Sequence, residues 1–173
     1  MWRRKPGFPT LVKIILEQQV SLASANAVYE RLSGMIAPFD SSHFLTLNDD
    51  ALHAVGFSRQ KIRSCRGLSS AIVQGNLKLS ELERMDDETA RSKLVQIHGI
   101  GPWTADIYLL LALRRPDIWP ESDLALISAV KKVKKLPKID AGELIELSSD
   151  WRPWRAVAAR LLWHYYLSSK KSE

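Results

Sequence analysis

Apolar residues along the chain recur at helical spacing, three and four apart, and strand-like alternation is missing. Leu11, Ile14 and Ile15 follow Pro9 and Thr10, which predicts a first helix with proline at its start. Ser21 has the place of an N-cap for a second helix with Leu22, Ala25 and Val28 inward and Gly34 at its end. Asn48 precedes a short helix closing at Gly56. Ser58 then opens a longer one with Ile62, Cys65, Leu68 and Ile72 on one face and Gly75 beyond it. Ser80 with Glu83 and Asp140 with Glu143 have capping-box spacing, and Pro153 predicts the start of a final aromatic-rich helix. The sum is an all-α chain of roughly eight to ten short helices.

One stretch departs from ordinary punctuation. In Leu94-Val-Gln-Ile-His-Gly-Ile-Gly-Pro-Trp-Thr-Ala105, two glycines separated by one residue join two apolar-periodic segments. Gly99 and Gly101 can take positive φ and have no Cβ, so this backbone can approach another molecule closely. Pro102 suits the first helical position, and the amides left open at that helix start favour an anion such as a phosphate. The turn reads as a helix, a tight hairpin over about residues 87–114, and a second helix: a backbone grip for DNA.

Size and charge narrow the field without deciding it. At 173 residues, 46% hydrophobic and 25% charged, the chain reads as a single domain over 1–173 that can bury its own core. A formal charge of +6 and a sequence pI near 9.5 suit a polyanionic partner. The lone Cys65 excludes an internal disulfide or an iron–sulfur cluster and points to an intracellular, cytoplasmic setting. No apolar segment follows the basic start Met1-Trp-Arg-Arg-Lys-Pro6, so it is no secretory signal, and no apolar run is long enough for a membrane span. His43, His53, His98 and His164 lack metal-ligand spacing, and Lys61, Arg63 and Arg66 read as a solvated helix face. The basic run Lys131 to Lys138 reads as a loop facing solvent or DNA.

The hairpin resembles the helix-hairpin-helix motif of DNA repair proteins, and three further elements sharpen the likeness. Trp119-Pro-Glu-Ser-Asp-Leu-Ala-Leu126 looks like the element that carries the aspartate of helix-hairpin-helix (HhH-GPD) base-excision glycosylases, at the family's distance past the hairpin. Ile14-Ile-Leu-Glu-Gln-Gln-Val-Ser21 is similar to the segment with which they probe the minor groove. Trp151-Arg-Pro-Trp-Arg-Ala-Val-Ala-Ala-Arg-Leu-Leu-Trp163 resembles the closing helix of the alkylpurine branch, the DNA-3-methyladenine glycosylase II type. The resemblance implies a two-lobed helical core with a central cleft, here without the N-terminal β domain that many members carry.

By the same resemblance, each site residue has an expected role. Asp123 would stabilise the positive charge that develops on deoxyribose and help deprotonate water. On its own residues it reads first as a helix N-cap, and the spacing from the hairpin turns the reading toward catalysis. Trp103 stands where lyase relatives carry a lysine, which implies a monofunctional hydrolase; it also reads as a core anchor. Trp163 would stack on an electron-deficient flipped purine, or pack in the core. Gln19 would fill the gap left by the nucleotide, with Gln18 a loop residue. Gly99, Ile100, Gly101 and Thr104 would contact the DNA backbone, Thr104 reading alternatively as a bond to its own helix turn. The carbonyls of Val95, Ile97 and Ile100 would hold a monovalent cation, Na⁺ or K⁺, with no other cofactor implied.

The expectation is a monomeric glycosylase that releases alkylated purines from double-stranded DNA, with no membrane partner. It would work in the cytoplasm, on the nucleoid in a bacterium or archaeon, or in the nucleus of a eukaryote. Two readings stand beside it: a non-catalytic helix-hairpin-helix DNA-binding module, and an all-α protein-interaction domain with a fortuitous glycine turn.

Overall fold

The computed structural model describes residues 3–169; Met1 and Trp2 of the basic start fall outside them. Among these residues every regular element is a helix, and none is long and apolar enough to cross a membrane. The chain divides into two compact units, Met1–Leu113 and Arg114–Glu173.

The first unit is built around α1 (Phe8–Glu17), which packs on α2 (Leu22–Met35), α5 (Arg59–Val73) and α8 (Pro102–Leu111). Leu11, Ile14 and Ile15 are fully buried, as their spacing predicts, along with Leu32, Leu68 and Tyr108 from the partner helices. Each such side chain stabilises the fold by about 1.5–3 kcal/mol before entropy is counted. Short helices α3 (Ser41–Thr46), α4 (Asp49–Ala54) and α6 (Leu79–Leu82) connect the long ones, and α7 (Asp87–Val95) packs on α8 to form the hairpin. α8 buries every residue from Thr104 to Leu111, the signature of a helix enclosed on all sides.

The second unit holds α9 (Leu124–Lys134), α10 (Ala141–Ser149) and α11 (Arg155–Ser169), with α9 packed along α11. Ahead of α9, the loop from Arg114 is pinned to the start of α11. Arg155 donates to both Asp117 carboxylate oxygens, at 2.8 and 3.0 Å, and Arg152 adds a third bond at 3.2 Å. Ala156 N–H donates to the Pro116 carbonyl, and the Trp119 and Trp151 rings meet edge to face at 5.3 Å.

The punctuation is right where a polar cap leaves a local signature. Ser21, Asn48 and Ser58 each accept an amide from their own helix, and Asp140 with Glu143 closes a capping box. It fails in five places. Leu22 is exposed, because it sits in the first turn of α2 beyond its core-facing stripe. α2 runs through Gly34 to Met35, since one glycine costs a helix only about 1 kcal/mol. Ser80 lies inside α6, whose N-cap is Lys78. Lys131 to Lys134 continue α9, and Lys135 ends it with φ 54°. Pro153 lies in a turn, and the last helix begins at Arg155.

Candidate functional site

The expected site residues fall into two groups, one in each unit. In the first unit, the hairpin turn closes through Ile97 N–H to Leu94 and Ile100 N–H to Ile97, and α8 starts at Pro102 with Gly101 as its N-cap. Arg91 of α7 and Asp106 of α8 tie the two hairpin helices together with bonds of 2.8 and 3.2 Å, the carboxylate being only 4% exposed.

The two hairpin glycines prove to be glycines for different reasons. Gly99 has φ +84°, and a Cβ there would lie 1.9 Å from Ser64 Oγ and 2.3 Å from Ser64 Cβ, so this glycine lets the turn press against α5. Gly101 has φ −86°, which any residue adopts, and a Cβ there would meet nothing within 4 Å. The positive φ anticipated for both thus holds for Gly99 alone. At Gly101 neither conformation nor internal packing calls for glycine, and an exposed, bare amide is what close approach by an outside group requires.

Thr104 corrects the expectation of a surface contact to DNA. It is 1% exposed, and its Oγ1 accepts from Gln18 Nε2 at 2.8 Å, so the hydroxyl works inside the protein. The Ile100 side chain is buried too, which leaves only its main chain for an outside partner. Gln18 also donates to the Gly99 carbonyl at 3.2 Å. The neighbouring Gln19 is exposed at φ 57°, and Trp103 is half-buried near the start of α8.

Lys61 and Arg66 are not a solvated face. Lys61 Nζ donates to the Leu16 carbonyl at 2.6 Å, and partial burial lowers its pKa. Arg66 bonds to Asp49 and to the Leu47 carbonyl. Between the end of α1 and the start of α5 lies a cavity of about 250 Å³ lined by Gln18, Gln19, Ser58 and Lys61, among others.

The second unit supplies the candidate acid. Asp123 is the N-cap of α9, and its Oδ1 accepts Leu126 N–H at 2.9 Å, so the plain capping role is real. The same Oδ1 also accepts Trp163 Nε1–H at 3.1 Å, from α11. A cap needs no such second donor. Asp123 is 8% exposed and Trp163 9%, so the carboxylate is fixed in a nearly dry setting where its charge is weakly screened. Trp163 therefore holds Asp123 with its N–H, a contact that the sequence offered no means to read.

Among the described residues no group of His, Cys, Asp and Glu is arranged to hold a metal ion. The Val95, Ile97 and Ile100 carbonyls are main-chain donors, of which Ile97 already accepts Ile100 N–H at 3.0 Å and keeps a second lone pair.

Over 168 residues the chain is 29% identical to DNA-3-methyladenine glycosylase 1 of Schizosaccharomyces pombe, covering 92% of this chain and 72% of that protein. Over 176 residues it is 28% identical to a DNA-3-methyladenine glycosylase of Bacillus subtilis, of which it spans 57%. It superposes on the solved structure of the S. pombe 3-methyladenine DNA glycosylase in complex with abasic DNA with a TM-score of 0.87, over 93% of this chain and 81% of that one at 28% identity. The sequence profile of the HhH-GPD superfamily of base excision DNA repair proteins matches residues 12–153, and the chain belongs to that superfamily.

Proposed function

We propose that the protein is a DNA glycosylase that hydrolyses the N-glycosidic bond of alkylated purines in duplex DNA, with Asp123 as the catalytic carboxylate. The observation that carries this reading is the pair of N–H groups, from Leu126 and Trp163, converging on one buried oxygen of Asp123. Holding a carboxylate rigid in a poorly screened place prepares it for positive charge developing on the sugar, without reorganisation during the reaction. A purine alkylated at N3 or N7 is itself cationic and leaves readily, so no second acid is required. The similar proteins named above, 3-methyladenine glycosylases, support the substrate class. A module that only gripped DNA would use the glycine turn and would ask of Asp123 no more than its helix cap, with no second donor from Trp163.

In this reading the amides around Gly101 take a phosphate, and Gln19 enters the duplex as the damaged nucleotide swings out. Trp103 and Trp163 contact the extruded base. Trp103 cannot form a Schiff base, so the enzyme is monofunctional and leaves an abasic site. The Val95, Ile97 and Ile100 carbonyls would hold a monovalent cation, which when bound neutralises phosphate charge. The enzyme acts as a monomer, in whatever compartment holds the genomic DNA.

Incubating the protein with methylated duplex DNA and identifying the liberated bases tests this. Release of methylated purines, with no covalent adduct on borohydride treatment, is expected. Intact DNA would refute the activity, and a trapped complex would refute the monofunctional chemistry.

A further inference from the structure

The tip between α1 and α2 faces a mechanical problem. Gln19 sits in the left-handed region at φ 57°, which a residue with a side chain keeps only where its surroundings impose it. The next residues, Val20 and Ser21, are exposed before α2 begins at Leu22.

Two side-chain contacts lie beside the tip. Lys61, from α5, bonds to the Leu16 carbonyl in the last turn of α1. Gln18, the C-cap of α1, turns inward and spends its amide on the Gly99 carbonyl and the Thr104 hydroxyl. Thr104 lies in the first turn of α8 and Gly99 in the hairpin turn, so one side chain joins the tip to both parts of the phosphate grip. Thr104 is buried and held, which makes it a firm anchor. The cavity flanked by Gln18, Gln19 and Lys61 leaves room beside the tip.

We propose that Gln18 is a positioning residue that locks the Gln19 tip to the hairpin, so that gripping the phosphate backbone and inserting a side chain into the duplex act as one rigid unit. This rests on the reading of Gln19 as the inserted side chain. A loose tip would still let the hairpin bind DNA, but would lose the push that holds a nucleotide out of the stack. The fault would then show in flipping and spare hydrolysis. A lesion that is already unpaired needs little flipping and should escape it.

The test uses the full chain, with Gln18→Leu as the main variant. Thr104→Val, which removes the acceptor, and Thr104→Ser, which keeps it, serve as the second pair. Each is titrated onto a duplex with an abasic analogue and 2-aminopurine as its neighbour, whose fluorescence reports insertion without any catalysis. Gln18→Leu should lose most of the fluorescence change, with affinity within about threefold of the parent. Thr104→Val should reproduce the loss, and Thr104→Ser should not. Base release from a paired N7-methylguanine should fall roughly tenfold in Gln18→Leu and recover when the lesion sits in a mismatched bubble.

Full fluorescence change in Gln18→Leu and Thr104→Val overturns the assignment. So does a loss that tracks affinity and melting temperature, or that is equal on paired and bubble substrates, since any of these marks a merely structural contact. A parent protein that binds without any fluorescence change removes the inserted side chain and the lock with it. A parent that shows the fluorescence pattern and releases no base leaves the lock standing and refutes only the glycosylase reading.

Discussion

Gly99 in the first unit and Asp123 in the second are both fixed by residues far away in the chain, but by opposite means. Gly99 is placed through an absence: without a Cβ it can lie against Ser64, and the turn seats on α5. Asp123 is placed through donors: one from its own helix and one from Trp163 on α11. The first arrangement presents main-chain amides, which suit a partner that is the same at every nucleotide. The second presents one charged side chain, which suits a reaction at one atom. Two kinds of site can therefore be separated by mutation, because damage to the first acts through shape and damage to the second through chemistry.

The sharpest way to break the comparison lies inside the hairpin. Gly99→Ala should destabilise the protein by roughly 3 kcal/mol, from the strained φ and the collision with Ser64, measured by urea denaturation. Gly101→Ala should leave stability unchanged and weaken binding to undamaged duplex DNA. Equal melting of the two variants would dissolve the distinction between a packed glycine and an open one.

A smaller effect is expected at Trp163. Trp163→Phe keeps an aromatic face and removes the N–H that reaches Asp123 at 3.1 Å. Single-turnover base release should slow about tenfold with little change in DNA affinity, as for the loss of one hydrogen bond to a charged group. Parental rates would mean that the ring stacks on the base and its N–H does nothing.

The smallest effect concerns the loop leading to Asp123. Burial raises the Asp117 pKa, but the hydrogen bonds and charges of Arg155 and Arg152 outweigh it and hold the group below its ordinary 3.8. The depressed folded value means that this contribution is complete above the unfolded pKa and fades as pH falls through the folded one. Asp117→Asn should thus cost about 1 kcal/mol or less at neutral pH, since solvent screens the pair, and the gap to the parent should close in acid below about pH 4. A gap that stays constant with pH would show that the carboxylate charge contributes nothing.

How far the chain could be read before its structure follows from the range of each signal. Ser21, Asn48, Ser58 and Asp123 cap helices through bonds to amides three residues away, so the sequence carries the whole motif. The all-α architecture follows from spacing of the same short range. Gln18 on Thr104, Trp163 on Asp123 and Arg155 on Asp117 join residues 86, 40 and 38 apart, and no local pattern encodes them. Lys61 and Arg66 show the same limit, since an exposed helix stripe and one that binds a neighbouring segment have identical spacing. Thr104 was legible as a residue of the hairpin but not in its direction, because the first turn of a helix has both an inner and an outer side.

The measurement that bears most directly on the catalytic assignment compares the parent with Asp123→Asn on a duplex carrying a single N7-methylguanine. The amide keeps the size of the side chain and an oxygen for the Leu126 and Trp163 donors, while the negative charge is gone. Base release should fall by at least about a thousandfold with duplex affinity within severalfold of the parent. Retention of the parental release rate by Asp123→Asn would contradict the account.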